Sequence, residues 1–337
     1  MNDARPGLDP RRLVLFMQAA IERLDLSLHG CTVLTEAASG AYSVTPVLAS
    51  MAGADRVFAF TRTTRYGTAE QIAEATRRLA ELSGARHPIH VITGDYREAA
   101  AQADIVTNSG HLRPIGAEAV AAMKPDAVIP LMFETWEYRP EDLDLQACRR
   151  RGILVAGTNE RHSAVDVFSY LGILAARQLM DAGVSVYGSR ILVLCDNPFR
   201  AYLESGLRGA GACVDCVAAL AQTTRDTPYD AIVVSLDPRT ECGLPASDAR
   251  LIAESWPGAV VTQFTGNLDR DALVAAGVPL WPAQAPSHGH MGILLSDIGP
   301  ESIIRLQAGG LKVGEVLWRM HRRWHDSPWS ELVQPLE

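Results

Sequence analysis

Short apolar runs alternate with amphipathic stretches along most of the chain, and this alternation is typical of an α/β protein. The apolar runs are rich in Val, Ile and Leu, as strands covered on both faces usually are. They predict strands at 31–35, 56–60, 89–92, 105–107, 127–131 and 153–156, and then at 191–194, 213–217, 231–235, 260–263 and 279–281. Helical spacing lies between the strands, for example over Leu13–Leu24 and Ala69–Leu82. The pattern therefore predicts two parallel sheets, each covered by helices.

The segment 152–199 joins these two halves. The strand 153–156 is followed by a polar loop, and Ser163 can cap a helix that continues to Met180, with Asp166 as its partial capping box. This helix leads into the strand Arg190–Cys195. The domains predicted from this arrangement are an N-terminal domain at 1–160, a linking helix at 161–187, a second domain at 188–298, and a C-terminal helical segment at 299–337 that returns to the first domain.

Length, net charge and cysteine content argue against several classes of protein. The chain has 337 residues, which is enough for two cores, and its formal charge of −8 is not offset by a basic block. A nucleic-acid or membrane partner is therefore not expected. The sequence has no apolar run long enough to span a membrane, no signal-peptide pattern, and six cysteines that form no disulfide framework. These features favour a cytoplasmic protein, and a homodimer is the default expectation for its assembly.

Two consecutive segments resemble the domain junction of a known family. The helix "GTNERHSAVDVFSYLGILAAR" followed by "GSRILVLCDNPFRAYLESGLRGAGACV" is similar to the junction of D-2-hydroxyacid dehydrogenases, a family with adenosylhomocysteine hydrolases as more distant relatives. The resemblance extends over roughly residues 90–315 and places "APSHGHMG" where the family carries its histidine. It implies two Rossmann-like doubly wound domains with an interdomain cleft, a nicotinamide cofactor and a small carboxylate-bearing substrate.

The functional motifs of that family are partly replaced. Its G-x-G-x-x-G turn corresponds to Cys195-Asp196-Asn197-Pro198-Phe199-Arg200, which contains no glycine. The following strand ends in Val217-Ala218-Ala219 and lacks the acidic residue that would bind a ribose. The family's carboxylate-binding arginine corresponds to Thr265. Dinucleotide binding at this turn is therefore not expected.

The carboxyl ends of the predicted strands are the best places to look for a site, because ligands bind there in doubly wound sheets. The candidate catalytic residues are His288, His290, Glu134, Glu137 and His111. The candidate substrate-binding residues are Asn159, Glu160, Asp196, Asn197, Thr265 and Asn267. His288 and His290 are the first choice for proton transfer, since they match the family's histidine and flank a flexible glycine.

A cofactor site is also predicted in the first domain. A small-residue turn and two arginines follow its first two strands, and they suit a phosphate group. The residues of this site are Glu36, Ser39, Gly40, Ala41, Tyr42, Arg62, Thr63, Arg65 and Asn108. Arg62 and Arg65 favour the 2′-phosphate of NADP, whereas a solvated turn with Thr68 as a helix cap is the structural alternative.

The leading functional hypothesis is a divergent oxidoreductase that uses NADP or NAD on a small polar substrate. The alternatives are an S-adenosylmethionine-dependent methyltransferase or other group-transfer enzyme, and a relative that only binds a ligand. No metal site is predicted, and Cys213-Val-Asp-Cys216 has no second cysteine pair to complete one. A metal held by His288 and His290 with an Asp or Glu is a minor alternative, because alternating residues of a strand share a face.

Overall fold

The structure is a computed structural model that describes residues 5–321 and 328–336. The chain divides into two compact units. The first unit consists of Met1–Val167 together with Gly299–Glu337, and the second unit is the continuous segment Phe168–Ile298. The first unit is therefore assembled from both ends of the chain.

The strands and helices follow one another in nearly strict alternation. The strands are β1 (Thr32–Glu36), β2 (Arg56–Phe60), β3 (Ile89–Ile92), β4 (Ile105–Val106), β5 (Val128–Pro130), β6 (Leu154–Thr158), β7 (Arg190–Cys195), β8 (Cys213–Val217), β9 (Ala231–Ser235), β10 (Val260–Thr265), β11 (Leu280–Trp281) and β12 (Val333–Pro335). The α-helices are α1 (Pro10–Leu24), α2 (Thr45–Met51), α3 (Ala69–Ser83), α4 (Arg97–Ala100), α5 (Ala117–Ala122), α6 (Leu145–Arg151), α7 (Leu171–Asp181), α8 (Arg200–Gly209), α9 (Ala246–Ser255), α10 (Arg270–Ala275) and α11 (Glu301–His321).

The sheet of the first unit has seven strands in the order β12-β6-β5-β4-β1-β2-β3. All pairs are parallel except β12 with β6, which is antiparallel. The strand order reverses between β1 and β4, so the connections on either side run to opposite faces. A reversal of this kind leaves a crevice at the carboxyl ends of the two strands.

The sheet of the second unit has five parallel strands in the order β11-β10-β9-β7-β8. Its order reverses between β7 and β9. All residues of β9 are buried, and its first four residues are apolar without alternation, as expected for a strand covered on both faces. The predicted fold class, two Rossmann-like α/β domains with doubly wound sheets, is confirmed.

Local sequence signals explain where the long helices begin. The side chain of Asp9 caps α1 by accepting a hydrogen bond from the Arg11 backbone at 2.9 Å, and Pro10 occupies the first helical position. Thr68 and Gln71 form a complete capping box at the start of α3. The structural alternative for this turn, with Thr68 as a cap, is thus what the structure contains.

The C-terminal helix α11 belongs to the first unit and contacts α1, β5 and β6. Its glycines allow this close approach: a Cβ on Gly314 would lie 2.8 Å from Cγ2 of Ile105. Two charged residues of α11 are buried together, since Lys312 Nζ lies 2.9 Å from Glu315 Oε2 and donates to the Asp25 carbonyl at 2.7 Å. A paired and hydrogen-bonded arrangement is the condition for burying such charges.

The prediction that a helix begins at Ser163 is wrong. Residues 163–167 form turns, a 3₁₀ turn follows at Phe168–Tyr170, and α7 begins only at Leu171. Asp166 has a left-handed backbone with φ of 52°, and its carboxylate accepts a hydrogen bond from Arg305 at 3.2 Å. A left-handed residue cannot continue an α-helix, so the apolar spacing after Ser163 extends the helical pattern beyond the helix itself.

Candidate functional site

Four acidic and amide side chains follow strands that lie side by side in the first unit. Glu36 ends β1, Asn108 follows β4, Glu134 follows β5, and Glu160 follows β6. These strands occupy consecutive positions in the sheet. Because the strands are parallel, their carboxyl ends meet at one edge, beside the reversal between β1 and β4.

Three glutamates form the acidic part of this edge. Glu134 and Glu160 are buried, Glu137 is half-buried, and the Glu137 and Glu160 carboxyls share a hydrogen bond. Glu134 is held in place by Trp136 Nε1, which donates at 2.8 Å, and by Arg161 Nε at 3.2 Å. Burial and the neighbouring charge of Glu134 raise the pKa of Glu137 to about 7. Burial and the charge of Glu137 raise the pKa of Glu160 well above its ordinary value. The pair therefore holds a proton near neutral pH.

Arg113 connects the acidic part to the neighbouring strand end. Its guanidinium donates to the Asn108 carbonyl at 2.8 Å and to the Asn108 side-chain oxygen at 3.1 Å. It also lies 4.9 Å from the centre of the Phe133 ring and 3.7 Å from an Asp142 oxygen. Burial lowers the pKa of Arg113, and the charges of Asp142 and Glu36 oppose this effect. The arginine provides a half-buried positive charge beside the carboxylates of the site.

Glu36 is a further buried acid of the site. It accepts a hydrogen bond from the His111 backbone at 2.9 Å, and a Cβ on Gly110 would collide with its carboxylate. Burial raises the pKa of Glu36, although the His111 backbone and the charges of Arg113 and Arg62 oppose the rise. Burial and the charge of Arg62 lower the pKa of His111, so its imidazole is neutral at pH 7.

Arg113 orients the side-chain amide of Asn108 by donating to its oxygen, so the amide nitrogen Nδ2 remains as a potential donor. Because Arg113 Nε donates to the side-chain oxygen at 3.1 Å, the nitrogen Nδ2 points the other way. This nitrogen is fully buried and has no hydrogen-bond partner within residues 5–321 and 328–336. A buried donor without a partner is costly, and it is typical of a position that a ligand or ordered water completes.

The fold and geometry can be compared with those of known proteins. No protein-family model matches the chain, and no curated protein matches it significantly. Among solved structures, a dipicolinate synthase component from Bacillus halodurans is similar, with 11% identity, a TM-score of 0.53, and coverage of 87% of this chain and 99% of that chain. The corresponding component of dipicolinate synthase from Bacillus subtilis gives 10% identity, a TM-score of 0.50, and coverage of 89% and 98%.

A third similar structure comes from Ralstonia solanacearum and is described as a D-3-phosphoglycerate dehydrogenase oxidoreductase. It has 11% identity, a TM-score of 0.50, and coverage of 90% of this chain and 98% of that chain. The likeness is one of fold. The resemblance of the sequence to D-2-hydroxyacid dehydrogenases is thus confirmed as the two-domain Rossmann architecture.

Most of the predicted cofactor residues of the first unit lie at the ends of β1 and β2, whereas Asn108 follows β4. After β1, Ser39 and Gly40 lead into a 3₁₀ turn at Gly40–Val44 that precedes α2, with Ala41 buried and Tyr42 partly buried. Gly40 has a φ of 62°, which explains the glycine at this position. The assignment of this turn to a cofactor stays a prediction.

The predicted phosphate-binding residues after β2 are exposed. Thr63 Oγ1 accepts a hydrogen bond from the Ala69 backbone at 3.1 Å, and the Arg65 guanidinium lies 4.7 Å from the centre of the Tyr66 ring. Arg62 is close enough to His111 and Glu36 to influence both of their pKa values. Of Arg62, Thr63 and Arg65, Arg62 is therefore the residue whose charge reaches the buried Glu36.

Asn159 and Glu160 have different surroundings although they are adjacent. The Asn159 backbone donates to Leu332 at 2.8 Å, and its side chain donates to the Glu331 carbonyl at 2.9 Å. Asn159 thus fastens the chain segment that leads into β12, whereas Glu160 joins Glu137. The predicted role of Asn159 in substrate binding is untested.

The remaining predicted residues belong to the second unit. Thr265 is buried at the end of β10, and Asn267 donates from its side chain to the carbonyls of Pro238 and Thr240 at 2.9 and 2.7 Å. His288 and His290 lie in an exposed turn. Their assignment to proton transfer stays a prediction.

Three arginines beside the acids, Arg113, Arg139 and Arg161, were not among the residues predicted for the site. Arg113 and Arg139 both pair with Asp142, and Arg161 pairs with Glu134. Arg113 lies five residues after Asn108, within the same loop, so proximity to a predicted residue was the available signal.

The residues that the structure describes contain no arrangement of three or more His, Cys, Asp or Glu suited to a metal ion. Within the same residues, every helix is too short or too polar to cross a membrane.

Proposed function

We propose that the chain is an enzyme that transfers a proton to or from a small polar molecule bound at the carboxyl end of the first sheet. Glu137 and Glu160 act as its acid–base pair. The observation that carries this proposal is the hydrogen bond between the two carboxyls, with the pKa of Glu137 raised to about 7. A general acid or base is most effective when its pKa lies near the working pH.

The three glutamates have separate tasks in this proposal. Glu137 is the most exposed of them and exchanges the proton with the bound molecule. Glu160 is buried and holds the proton between turnovers through the shared hydrogen bond. Glu134 stays fixed by Trp136 and Arg161, and its negative charge raises the proton affinity of Glu137.

The charges beside the glutamates favour a substrate that carries a carboxylate. Arg62 is exposed and lies near the neutral imidazole of His111, so both can face an anionic group. A guanidinium suits a carboxylate because its planar donors can bind both oxygens. Asn108 Nδ2, which has no hydrogen-bond partner among the residues that the structure describes, supplies a further donor at the same strand ends.

A nicotinamide-dependent oxidoreductase is the more specific form of this function. The fold shared with the Ralstonia solanacearum structure supports it. In this form of the function Arg62 does not face the substrate: its exposed guanidinium is the group that would bind the 2′-phosphate of NADP, and Asn108 Nδ2 remains as the donor for the substrate carboxylate. Removal of this charge by Arg62→Ala should weaken NADP binding by about 1.5–3 kcal/mol, the range for charge-assisted hydrogen bonds, and leave NAD binding nearly unchanged.

A panel of candidate ligands tests the proposal. Small 2-hydroxy and 2-oxo acids, NAD, NADP and S-adenosylmethionine are added to the full chain, and the melting temperature is recorded. A ligand at one hundred times its Kd should stabilise the fold by about 2.7 kcal/mol. Any acid that binds is then studied by calorimetry at pH 7 in buffers of different ionisation enthalpy, which reports proton uptake or release.

The matched variants are Glu137→Gln and, as a control, Glu81→Gln on the exposed face of α3. The wild type and the control should exchange protons with the solvent when the acid binds, and Glu137→Gln should not. Turnover of a substrate found in this way should decrease by about 10²–10⁴-fold in Glu137→Gln. Proton exchange that persists unchanged in Glu137→Gln would reject the assignment.

A further inference from the structure

The second unit has the topology that binds a dinucleotide in this fold class. In such a sheet the cofactor lies at the carboxyl ends of the two strands where the order reverses, which here are β7 and β9. Its pyrophosphate needs a glycine turn and free backbone N–H groups at the start of the following helix. In this unit, the turn that would have to meet these requirements of a pyrophosphate is the one after β7, residues 195–200.

Side chains of this turn reach across to the end of β9. Asn197 Nδ2 donates to the Ser235 carbonyl at 2.8 Å, and the Asp237 backbone donates to Asp196 Oδ1 at 2.9 Å. Asp237 is held in turn by Arg239, whose guanidinium makes several bonds to its carboxylate. The space between the two strand ends is thus bridged by the protein's own polar groups.

The backbone at the start of α8 is also occupied. The Phe199 N–H donates to Asn197 Oδ1 at 3.0 Å, and the Arg200 N–H donates to the Asn197 carbonyl at 3.2 Å. Two of the groups that would bind phosphate are therefore already paired. The Phe199 ring packs into the unit against Phe168 and Phe264 and anchors the turn in this form.

The adjacent strand end does not provide the second contact that a dinucleotide needs. After β8 the chain continues as Ala218-Ala219, where an acidic residue would bind the ribose. The Ala218 N–H instead donates to Gln222 Oε1 at 3.0 Å, and Arg200 donates to the Cys216 carbonyl at 2.7 Å. The carboxylate of Asp196, exposed at this edge, would repel a pyrophosphate.

We infer that the second unit does not bind a dinucleotide at the reversal between β7 and β9, because Asp196 and Asn197 close that position with hydrogen bonds. The residues do not fit the cofactor that the fold implies. Any nicotinamide or adenine nucleotide that binds this chain does so at another place.

Binding of NAD, NADH and NADP to the full chain tests this inference. The wild type is compared with Pro198→Glu, which adds a negative charge at an exposed position of the turn. No binding, or binding with the same Kd in both proteins, is the expected result. A wild-type affinity that Pro198→Glu weakens tenfold or more would overturn the inference.

A second measurement requires no variant. Hydrogen–deuterium exchange is recorded on the wild type with and without saturating NADH. Peptides that cover 195–200 and 235–239 should exchange at the same rate in both samples. Protection of both peptides by NADH would overturn the inference even if Pro198→Glu does not fold, whereas protection confined to the first unit would support it.

Discussion

At the scale of single residues, the surroundings of Glu137 determine its pKa. Glu137 lies beside Glu134 and Glu160. Burial and the negative charge of Glu134 raise its pKa, so the protonated form is favoured. The folded chain therefore binds more protons than the unfolded chain between the ordinary pKa of 4.5 and the folded value of about 7. Stability should be greatest below that interval and should decrease as the pH rises through it.

Glu137→Gln removes the titrating group and keeps the shape of the side chain. The wild type should lose about 2 kcal/mol of unfolding free energy between pH 5 and pH 7.5, and the variant should lose much less, because one bound proton changes stability by about 1.4 kcal/mol per pH unit. Urea unfolding at several pH values measures this difference. Glu81→Gln should follow the wild type, and an equal decrease in Glu137→Gln would contradict the shifted pKa.

The sequence predicts which polar side chains lie at the strand ends of the first sheet, but it does not predict how their charges interact. Glu36, Asn108, Glu134 and Glu160 were predictable, because polar residues at the ends of parallel strands meet at one edge of the sheet. The pairing of Glu137 with Glu160 was not predictable. It depends on the three-dimensional path of the loop after β5, and spacing along the chain does not fix that path.

At the scale of elements, the packing of α7 against α8 depends on two glycines. A Cβ on Gly206 would lie 2.5 Å from the Gly172 Cα, so neither helix can accept a side chain without moving. Gly206→Ala should therefore lower the stability of the second unit by about 1–3 kcal/mol, the usual effect of overpacking. Thermal or chemical unfolding measures the change.

Gly209→Ala is the matched control in the same helix. No atom lies within 4 Å of a Cβ built at Gly209, and the residue is exposed. Alanine there should be neutral or should stabilise by up to about 1 kcal/mol, because it is the better helix former. Equal stability of the two variants would show that the close contact at Gly206 does not limit the packing.

The predicted element positions agree closely with the structure in several strands, and less closely at loops. The predicted strands 213–217 and 231–235 are confirmed residue for residue. The strand β12 was missed, because it is short and its pairing with β6 is a contact between distant parts of the chain. The helix start at Ser163 was wrong because the apolar spacing there does not reveal the left-handed backbone of Asp166.

At the scale of the whole molecule, the two units differ in how the chain builds them. The second unit is one continuous segment with its own sheet and its own apolar core, whereas the first unit needs α11 and β12 from the far end of the chain. A continuous segment with its own core can fold alone.

Expression of the fragment 168–298 tests this difference. The fragment should unfold cooperatively on heating and give dispersed amide signals by NMR. A fragment that ends at Val167 should be unfolded or aggregated, because it lacks α11, whose residues are mostly buried in the first unit. A disordered 168–298 fragment would contradict the independence of the second core.

The most direct test of the proposed acid–base pair is a titration of the glutamate carboxyl carbons by ¹³C NMR, with Glu137→Gln and Glu160→Gln used for assignment. The resonances of Glu137 and Glu160 should move together, with a midpoint for Glu137 near pH 7. Titration of both Glu137 and Glu160 between about pH 4 and pH 5, where unperturbed glutamates titrate, would contradict the proposal that this pair transfers a proton at neutral pH.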